Sequence, residues 1–334
     1  MTVDAAPSLR ELHDVLLLDL DGTVYQGAHA IPGAREALVD RSSRLFYVTN
    51  NASRSPLAVA QHLRELGFPA SESEVVTSSQ SAARLLAEGL EPGASVLVIG
   101  TEALAEEVRL VGLSPVRRFD ENPAAVVQGH STETGWAILA EATLAIRAGA
   151  LWVASNVDST LPTERGLCPG NGAMVAAVRA ATGREPLVAG KPARPLMEDA
   201  LQRSGSQRPL VVGDRIDTDI AGANAVGVDS LLVLSGVSSV ADLLRAPESY
   251  RPTYLASRLA ELDLPAERLS IRPLPGVSVR REDSDLVVSC DRGAAPERLD
   301  VVRSVLAAAW AQPEFEGLRG EDPAAAAAVA ALVG

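Results

Sequence analysis

The apolar run Val15-Leu16-Leu17-Leu18 stops at Asp19-Leu20-Asp21-Gly22-Thr23, and this junction constrains the fold more than any other part of the chain. A strand buried on both faces of a parallel sheet reads as a continuous apolar run. Ligands of open α/β sheets gather beyond the carboxyl ends of such strands. Gly22 permits a sharp turn there. Two carboxylates two residues apart repel each other unless a cation sits between them, and a hard, oxygen-seeking ion such as Mg2+ meets that need. An ordinary acidic turn would look the same in isolation, so the reading depends on what accompanies it.

Three further features do. The chain has 30 Lys plus Arg, of which Lys191 is the single Lys. Arg is a wide planar fork, whereas Lys is a compact point charge that fits a tight pocket beside a carboxylate. Lys191 lies in Gly190-Lys191-Pro192, just before a helical stretch. A second apolar run, Leu210-Val211-Val212, also ends in an acid, Gly213-Asp214, with Asp217 and Asp219 close behind. Asp214 is placed to complete a metal site with Asp19 and Asp21, while Asp217 or Asp219 could hold metal waters or orient Lys191. Acids in the first turn of a helix would also account for Asp217 and Asp219. A third run, Arg44-Leu45-Phe46-Tyr47-Val48, leads into Thr49-Asn50-Asn51-Ala52-Ser53-Arg54. Hydroxyl, amide and backbone N–H groups at a strand-to-helix turn can cradle an anion. Helix capping would favour the same residue types.

Composition narrows the functions available. Net charge is −13, which argues against nucleic acid and anionic membranes as partners. An anionic substrate would then depend on local cations. Cys168 and Cys290 lie far apart without metal-site spacing and read as reduced thiols of a cytoplasmic protein. No segment approaches the ~20 apolar residues of a membrane span, and Met1 to His13 lacks the apolar core of a signal peptide. Only 3% of residues are aromatic, so Leu, Val, Ala and Ile must build the core.

Strand-like runs alternate with helix-like stretches, the pattern of parallel α/β sheets. Strands are expected at Val15–Leu20, Leu45–Thr49, Val96–Gly100, Ala124–Gln128, Leu151–Ser155, Leu210–Gly213 and Leu231–Leu234. A helix is expected over Ser131 to Gly149, with Trp136, Leu139, Ala140, Thr143 and Ile146 on one stripe. Only 28 residues separate Asp21 from Thr49, but 142 separate Thr49 from Lys191. That interval leaves room for an inserted α/β domain of about 100 residues. The expected organisation is a core of residues 1–82 and 187–260, an insertion over 83–186, and a C-terminal module over 262–334. Within the module, Pro265, Pro273 and Pro275 mark a linker. Val277–Arg281 and Leu286–Cys290 read as a hairpin. Pro296 to Ala311 reads as a helix with Leu299, Val302, Leu306 and Trp310 on one face, and Ala324 to Val333 reads as a last helix.

Asp19-x-Asp21-Gly-Thr, Thr49, Lys191 and Gly213-Asp214-x-x-x-Thr218-Asp219, in that order, resemble the motifs of the haloacid dehalogenase-like phosphatases. The resemblance spans roughly residues 10 to 258. It implies a Rossmann-like parallel core with the insertion as a cap of the C2 type. Ala154-Ser155-Asn156-Val157-Asp158, Pro169-Gly170-Asn171-Gly172-Ala173 and Gly190-Lys191-Pro192 narrow it. They resemble the branch of 4-nitrophenyl, pyridoxal phosphate and glycerol 3-phosphate/phosphoglycolate phosphatases. Plain turn chemistry would explain the Pro and Gly of the second segment equally well. The C-terminal module resembles an acetyltransferase-like extension in shape, but lacks the loop that would cradle a coenzyme A pyrophosphate, and reads as a packing or dimerising element.

The resemblance implies that Asp19 attacks phosphorus and becomes phosphorylated. Asp21 serves as acid and then base. Mg2+ is held by Asp19, the backbone carbonyl of Asp21 and Asp214, and Thr49, Asn50 and Lys191 hold the phosphoryl oxygens. Asn51 and Arg54 match positions that touch substrate or cap in relatives. Where pyridoxal phosphate phosphatases carry a His, this chain has Leu161, which puts a small polyol phosphate such as glycerol 3-phosphate ahead of pyridoxal phosphate or phosphoglycolate. The expected partner is therefore a small phosphorylated metabolite, with a homodimer possible. Three other classes fit less well. A receiver-type phospho-acceptor needs no insertion and lacks the Asp-x-Asp-Gly-Thr order. A phosphomutase of this superfamily carries its cap elsewhere. A silent phospho-ligand binding protein would have lost a catalytic residue, and none is missing.

Overall fold

The computed structural model describes residues 6–39, 43–163, 165–291 and 296–333. The first five residues of the segment read as lacking a signal peptide lie outside them. The chain divides into two compact units, residues 1–44 with 206–334, and residues 45–205.

In the first unit, Val15–Leu18 pairs in parallel with Pro209–Gly213, which pairs with Asp229–Val233, which pairs with Tyr254–Ala256. All four residues of Val15–Leu18 are buried, as a strand covered on both faces requires. The register Leu18↔Val212 brings the two acid-bearing strand ends side by side. That adjacency gathers carboxylates that are nearly two hundred residues apart in sequence.

The C-terminal residues belong to this unit. Val277–Glu282 and Asp285–Cys290 form the expected hairpin, and Gly317–Gly320 adds in parallel to its second strand. Helices Arg298–Ala311 and Pro323–Val333 follow the expected segments closely. One apolar cluster joins Leu232, Leu243 and Leu255 to Val302, Leu306, Phe315 and Val329. Buried Arg303 donates to the Leu255 carbonyl through Nε at 3.0 Å and Nη2 at 2.7 Å, and the Trp310 indole donates to the Leu243 carbonyl at 2.9 Å. The segment expected as a linker carries a short helix, Ala266–Leu269.

In the second unit, Arg44–Thr49 pairs in parallel with Val75–Thr77. A separate five-stranded parallel sheet has the order Leu187–Val188, Leu151–Ala154, Ala125–Gln128, Ser95–Ile99, Ser114–Val116. Thr160–Thr163 and Gly166–Pro169 make an antiparallel hairpin beside it in sequence. In the larger sheets the strands not expected from sequence are short: Val75–Thr77, Leu187–Val188, Tyr254–Ala256, and Ser114–Val116, an edge strand that contains Pro115; the four-residue strands Thr160–Thr163, Gly166–Pro169 and Gly317–Gly320 are not expected either. Runs of two or three residues carry too little alternation to read, and a Pro demotes a strand to an edge.

The helix expected over Ser131 to Gly149 spans Trp136–Arg147; of its expected stripe Ile146 is buried and Leu139 packs against the same cluster, but the expectation is corrected at Trp136. Trp136 is 84% exposed. The buried positions are Ala142, Ala145 and Ile146, packed with Leu97, Val126 and Trp152. This helix is apolar nearly all round, so periodicity alone cannot choose its buried side.

Candidate active site

Two groups of residues carry chemistry, one in each unit. In the first unit the chain leaves Val15–Leu18 and turns at Gly22, which has φ +92°. The Gly22 N–H donates to the Tyr25 carbonyl at 2.8 Å, and the Val24 N–H to the Leu20 carbonyl at 2.9 Å. Asp19 is half-buried beneath this turn, whereas Asp21 is exposed. Thr23 is fully buried, and its hydroxyl donates to Asp214 Oδ1 at 3.4 Å. Asp214, also fully buried, accepts the Val237 N–H on Oδ2 at 2.7 Å.

Beyond Asp214 the chain makes a turn of π-helix over Ile216–Ile220, a rare geometry that recurs at functional sites. It sends Asp217 and Asp219 in different directions. Asp217 is exposed and forms a two-pronged pair with the Arg215 guanidinium at 3.0 and 2.8 Å. Those hydrogen bonds hold its carboxyl below the usual range. Asp219 is buried and accepts the Arg215 N–H at 3.1 Å. Carboxylate oxygens of Asp19, Asp214 and Asp219 lie within 4.8 Å of one another. Three convergent carboxylates, two of them buried, make an all-oxygen donor set that suits Mg2+. The side chain of Asp21 is not in this group.

In the second unit Thr49 ends its strand buried, and its hydroxyl accepts the Asn51 N–H at 3.1 Å. Asn51 Oδ1 accepts the Ser53 N–H and hydroxyl at 2.8 and 2.7 Å. The helix Pro56–Glu65 is capped by Ser55, whose Oγ accepts the Ala58 N–H at 3.2 Å. Capping is therefore done by Ser55, and it does not account for Asn50 and Asn51. Arg54 is exposed.

Lys191 is 2% exposed, and its ammonium donates to the Val48 carbonyl at 3.0 Å. Asn50 grips the Lys191 backbone on both sides: Oδ1 accepts its N–H at 2.8 Å and Nδ2 donates to its carbonyl at 3.0 Å. Asn50 Nδ2 also faces both oxygens of Asp158 at 3.2 Å. The Asn50 carbonyl accepts from Asn156 Nδ2 at 2.7 Å and from the Ser78 hydroxyl at 2.6 Å. Sequence reading gave no role to Ser78, Asn156, Asp158 or Val237. The Asn and Asp were visible as a motif, but nothing local ties them to Asn50, and Val237 acts through its backbone.

The chain belongs to the haloacid dehalogenase-like hydrolases. That family's model matches residues 16–114, and a second hydrolase model of the same kind matches 188–262. A D-glycerol 3-phosphate phosphatase of Mycobacterium tuberculosis is 55% identical over 309 residues, covering 91% of this chain and 87% of that protein. A crystal structure of glycerol phosphate phosphatase from the same organism, in complex with magnesium, superposes with a TM-score of 0.94 at 53% identity, covering 98% of both chains. A p-nitrophenyl phosphatase from Archaeoglobus fulgidus gives 0.68 at 32% identity. It is covered to 99% but matches only 77% of this chain, so the chain exceeds that simpler relative by about a quarter of its length.

Proposed function

We propose that this chain is a Mg2+-dependent phosphomonoesterase that hydrolyses glycerol 3-phosphate through an aspartyl-phosphate on Asp19. The observation that carries the reading is the convergence of Asp19 and Asp214, at the ends of adjacent parallel strands, with Asp219 of the turn that follows, in a chain with this degree of likeness to glycerol phosphate phosphatases. Asp19, Asp214 and Asp219 would hold Mg2+, which when bound screens the anions that must meet.

The roles proposed for the chain's own residues are those that the family resemblance implies. The Asp19 carboxylate attacks phosphorus in line, and the bond to the alcohol oxygen breaks. Asp21, exposed beside it, gives its proton to that alkoxide, then takes one from the water that cleaves the acyl phosphate. Thr49, the backbone N–H of Asn50 and the ammonium of Lys191 offset charge on the remaining phosphoryl oxygens. Residues 83–186 serve as the cap that shields the first step from water and selects the alcohol. Leu161, in the hairpin of this segment, favours a small polyol over an aromatic alcohol.

Phosphate release from glycerol 3-phosphate, phosphoglycolate and pyridoxal phosphate, with Mg2+ or with EDTA, tests the reading. Glycerol 3-phosphate should be hydrolysed fastest, only with Mg2+, and not by Asp19→Asn. Equal release by that variant would sink the aspartyl-phosphate route, and a different leading substrate would sink the assignment of glycerol 3-phosphate.

A further inference from the structure

We propose that Asp158, a residue of the inserted α/β segment, is the positioning residue that fixes Asn50 and, through it, Lys191. The inference rests on the assignment of Asn50 and Lys191 to the phosphoryl group.

The Asn50 amide has one acceptor and two donor hydrogens. Oδ1 is committed to the Lys191 N–H, which can only donate. That contact forbids the flipped amide, because an NH2 group would then face an N–H. Nδ2 must therefore point toward the Lys191 carbonyl and Asp158. The carbonyl takes one hydrogen and the Asp158 carboxylate takes the other. Asp158 is thus the charged acceptor that completes the amide, and a charged acceptor gives the stronger bond. With Asp158 removed, one Nδ2 hydrogen loses its partner in a half-buried place, and the two-sided grip on Lys191 loses its anchor.

The surroundings fix Asp158 in turn. Its N–H donates to Asn156 Oδ1 at 3.2 Å, while Asn156 Nδ2 reaches the Asn50 carbonyl. Asn171 Nδ2 donates to the Asn156 carbonyl at 2.7 Å. The backbone is packed so closely that a Cβ on Gly172 would lie 2.1 Å from the Val157 carbonyl oxygen. One on Gly190 would lie 2.6 Å from Asn50 Oδ1 and 2.6 Å from the Ser155 carbonyl oxygen. The segments Asn156-Val157-Asp158, Gly170-Asn171-Gly172 and Gly190-Lys191 are therefore parts of one assembly built around Asn50. Turn chemistry alone does not explain Gly172 and Gly190, because both are sites of close backbone approach.

The test uses the full chain and four variants: Asp158→Ala, Asp158→Asn, Asn50→Ala and the double Asn50→Ala/Asp158→Ala. Steady-state kinetics with Mg2+ and glycerol 3-phosphate are read together with inhibition by inorganic phosphate. Asp158→Ala should lower kcat about tenfold or more and raise the inhibition constant for phosphate, with the Mg2+ dependence unchanged. Asp158→Asn keeps an oxygen acceptor and should recover kcat to within a few-fold. The double variant should be no worse than Asn50→Ala, since residues acting through one another are not additive. If Asp158→Ala does not fold, Asp158→Ser takes its place with the same expected direction. Parental kinetics in Asp158→Ala would overturn the inference, as would losses in the double variant equal to the product of the single losses. A parent chain inactive on every phosphomonoester would instead overturn the proposed function.

Discussion

Gly236 stands against Asp214 with no room for a side chain: a Cβ there would lie 2.0 Å from Asp214 Oδ2. The next residue, Val237, donates its N–H to that same oxygen. The loop after the strand Asp229–Val233 thus packs on the buried carboxylate and orients it.

Gly236→Ala should therefore impair metal use although every metal-binding side chain is kept. The methyl group must displace either the loop or the Asp214 carboxylate. Groups that orient metal ligands typically cost about 10–100-fold in affinity or activity when lost. A titration of phosphatase activity against Mg2+ should show a loss of that size. An unchanged Mg2+ midpoint and unchanged kcat would contradict the role given to this loop.

The π turn makes a second prediction, because it separates two acids that look alike in sequence. Asp219→Asn should abolish most Mg2+-dependent activity. Asp217→Asn should leave kcat within about twofold and cost less than about 1 kcal/mol, as exposed ion pairs do. The sign with pH follows from the lowered Asp217 carboxyl. Its small contribution is present above the unfolded value and is lost as pH falls through the folded one. Equal loss of activity in both variants would show that the acid cluster extends to Asp217.

Much of this was legible in the sequence because it is local. The apolar runs are local signals, and the seven expected strands all form, with ends shifted by one or two residues; two of those runs lead into Asp19 and Asp214 of the candidate site. The single Lys is buried, where an ordinary Lys would lie on the surface. What could not be read depends on geometry that neighbours in sequence do not encode. A run of acids after Gly213 gives no sign of a π turn, so the division of labour between Asp217 and Asp219 was hidden. Capping chemistry fits Thr49 to Arg54 on paper, but the cap is Ser55, just beyond that segment and directly before Pro56 at the helix start. The buried face of Trp136–Arg147 is chosen by the sheet it packs on, which favours small Ala residues over Trp136.

A third prediction concerns the C-terminal residues, which share a core with Leu232, Leu243 and Leu255. Arg303 is 3% exposed, donates to the Leu255 carbonyl and pairs with Asp300 at 2.9 Å. Removing one partner of a buried pair costs about 3–5 kcal/mol. Because Asp300 keeps some solvent contact, Arg303→Ala should fall near the lower end. Chemical denaturation should show this loss, while kcat measured well below the transition stays at the parental value. A stable variant with low kcat would instead give these residues a direct part in turnover.

The last prediction is a pH dependence arising from a residue outside the acid cluster. Glu107, on the helix Glu102–Leu110, is 7% exposed. Burial, reinforced by the negative charges of Glu72 and Glu106 and opposed by Arg203, pushes its carboxyl up from 4.5 to about 7. Between those two values the folded chain holds a proton that the unfolded chain has released. Stability must therefore fall as pH rises through that interval, because the folded state binds more protons there. Glu107→Gln removes the charge that is costly to bury and keeps the shape. The variant should match the parent near pH 4.5 and be more stable than it at pH 8, by on the order of 1 kcal/mol or more, since a tenfold change in a protonation equilibrium is worth about 1.4 kcal/mol. Thermal denaturation of both proteins at the two pH values reads the difference directly. A variant less stable than the parent at pH 8 would mean that the ionised carboxylate has a partner strong enough to outweigh its burial, with Arg203 the cation placed to supply it.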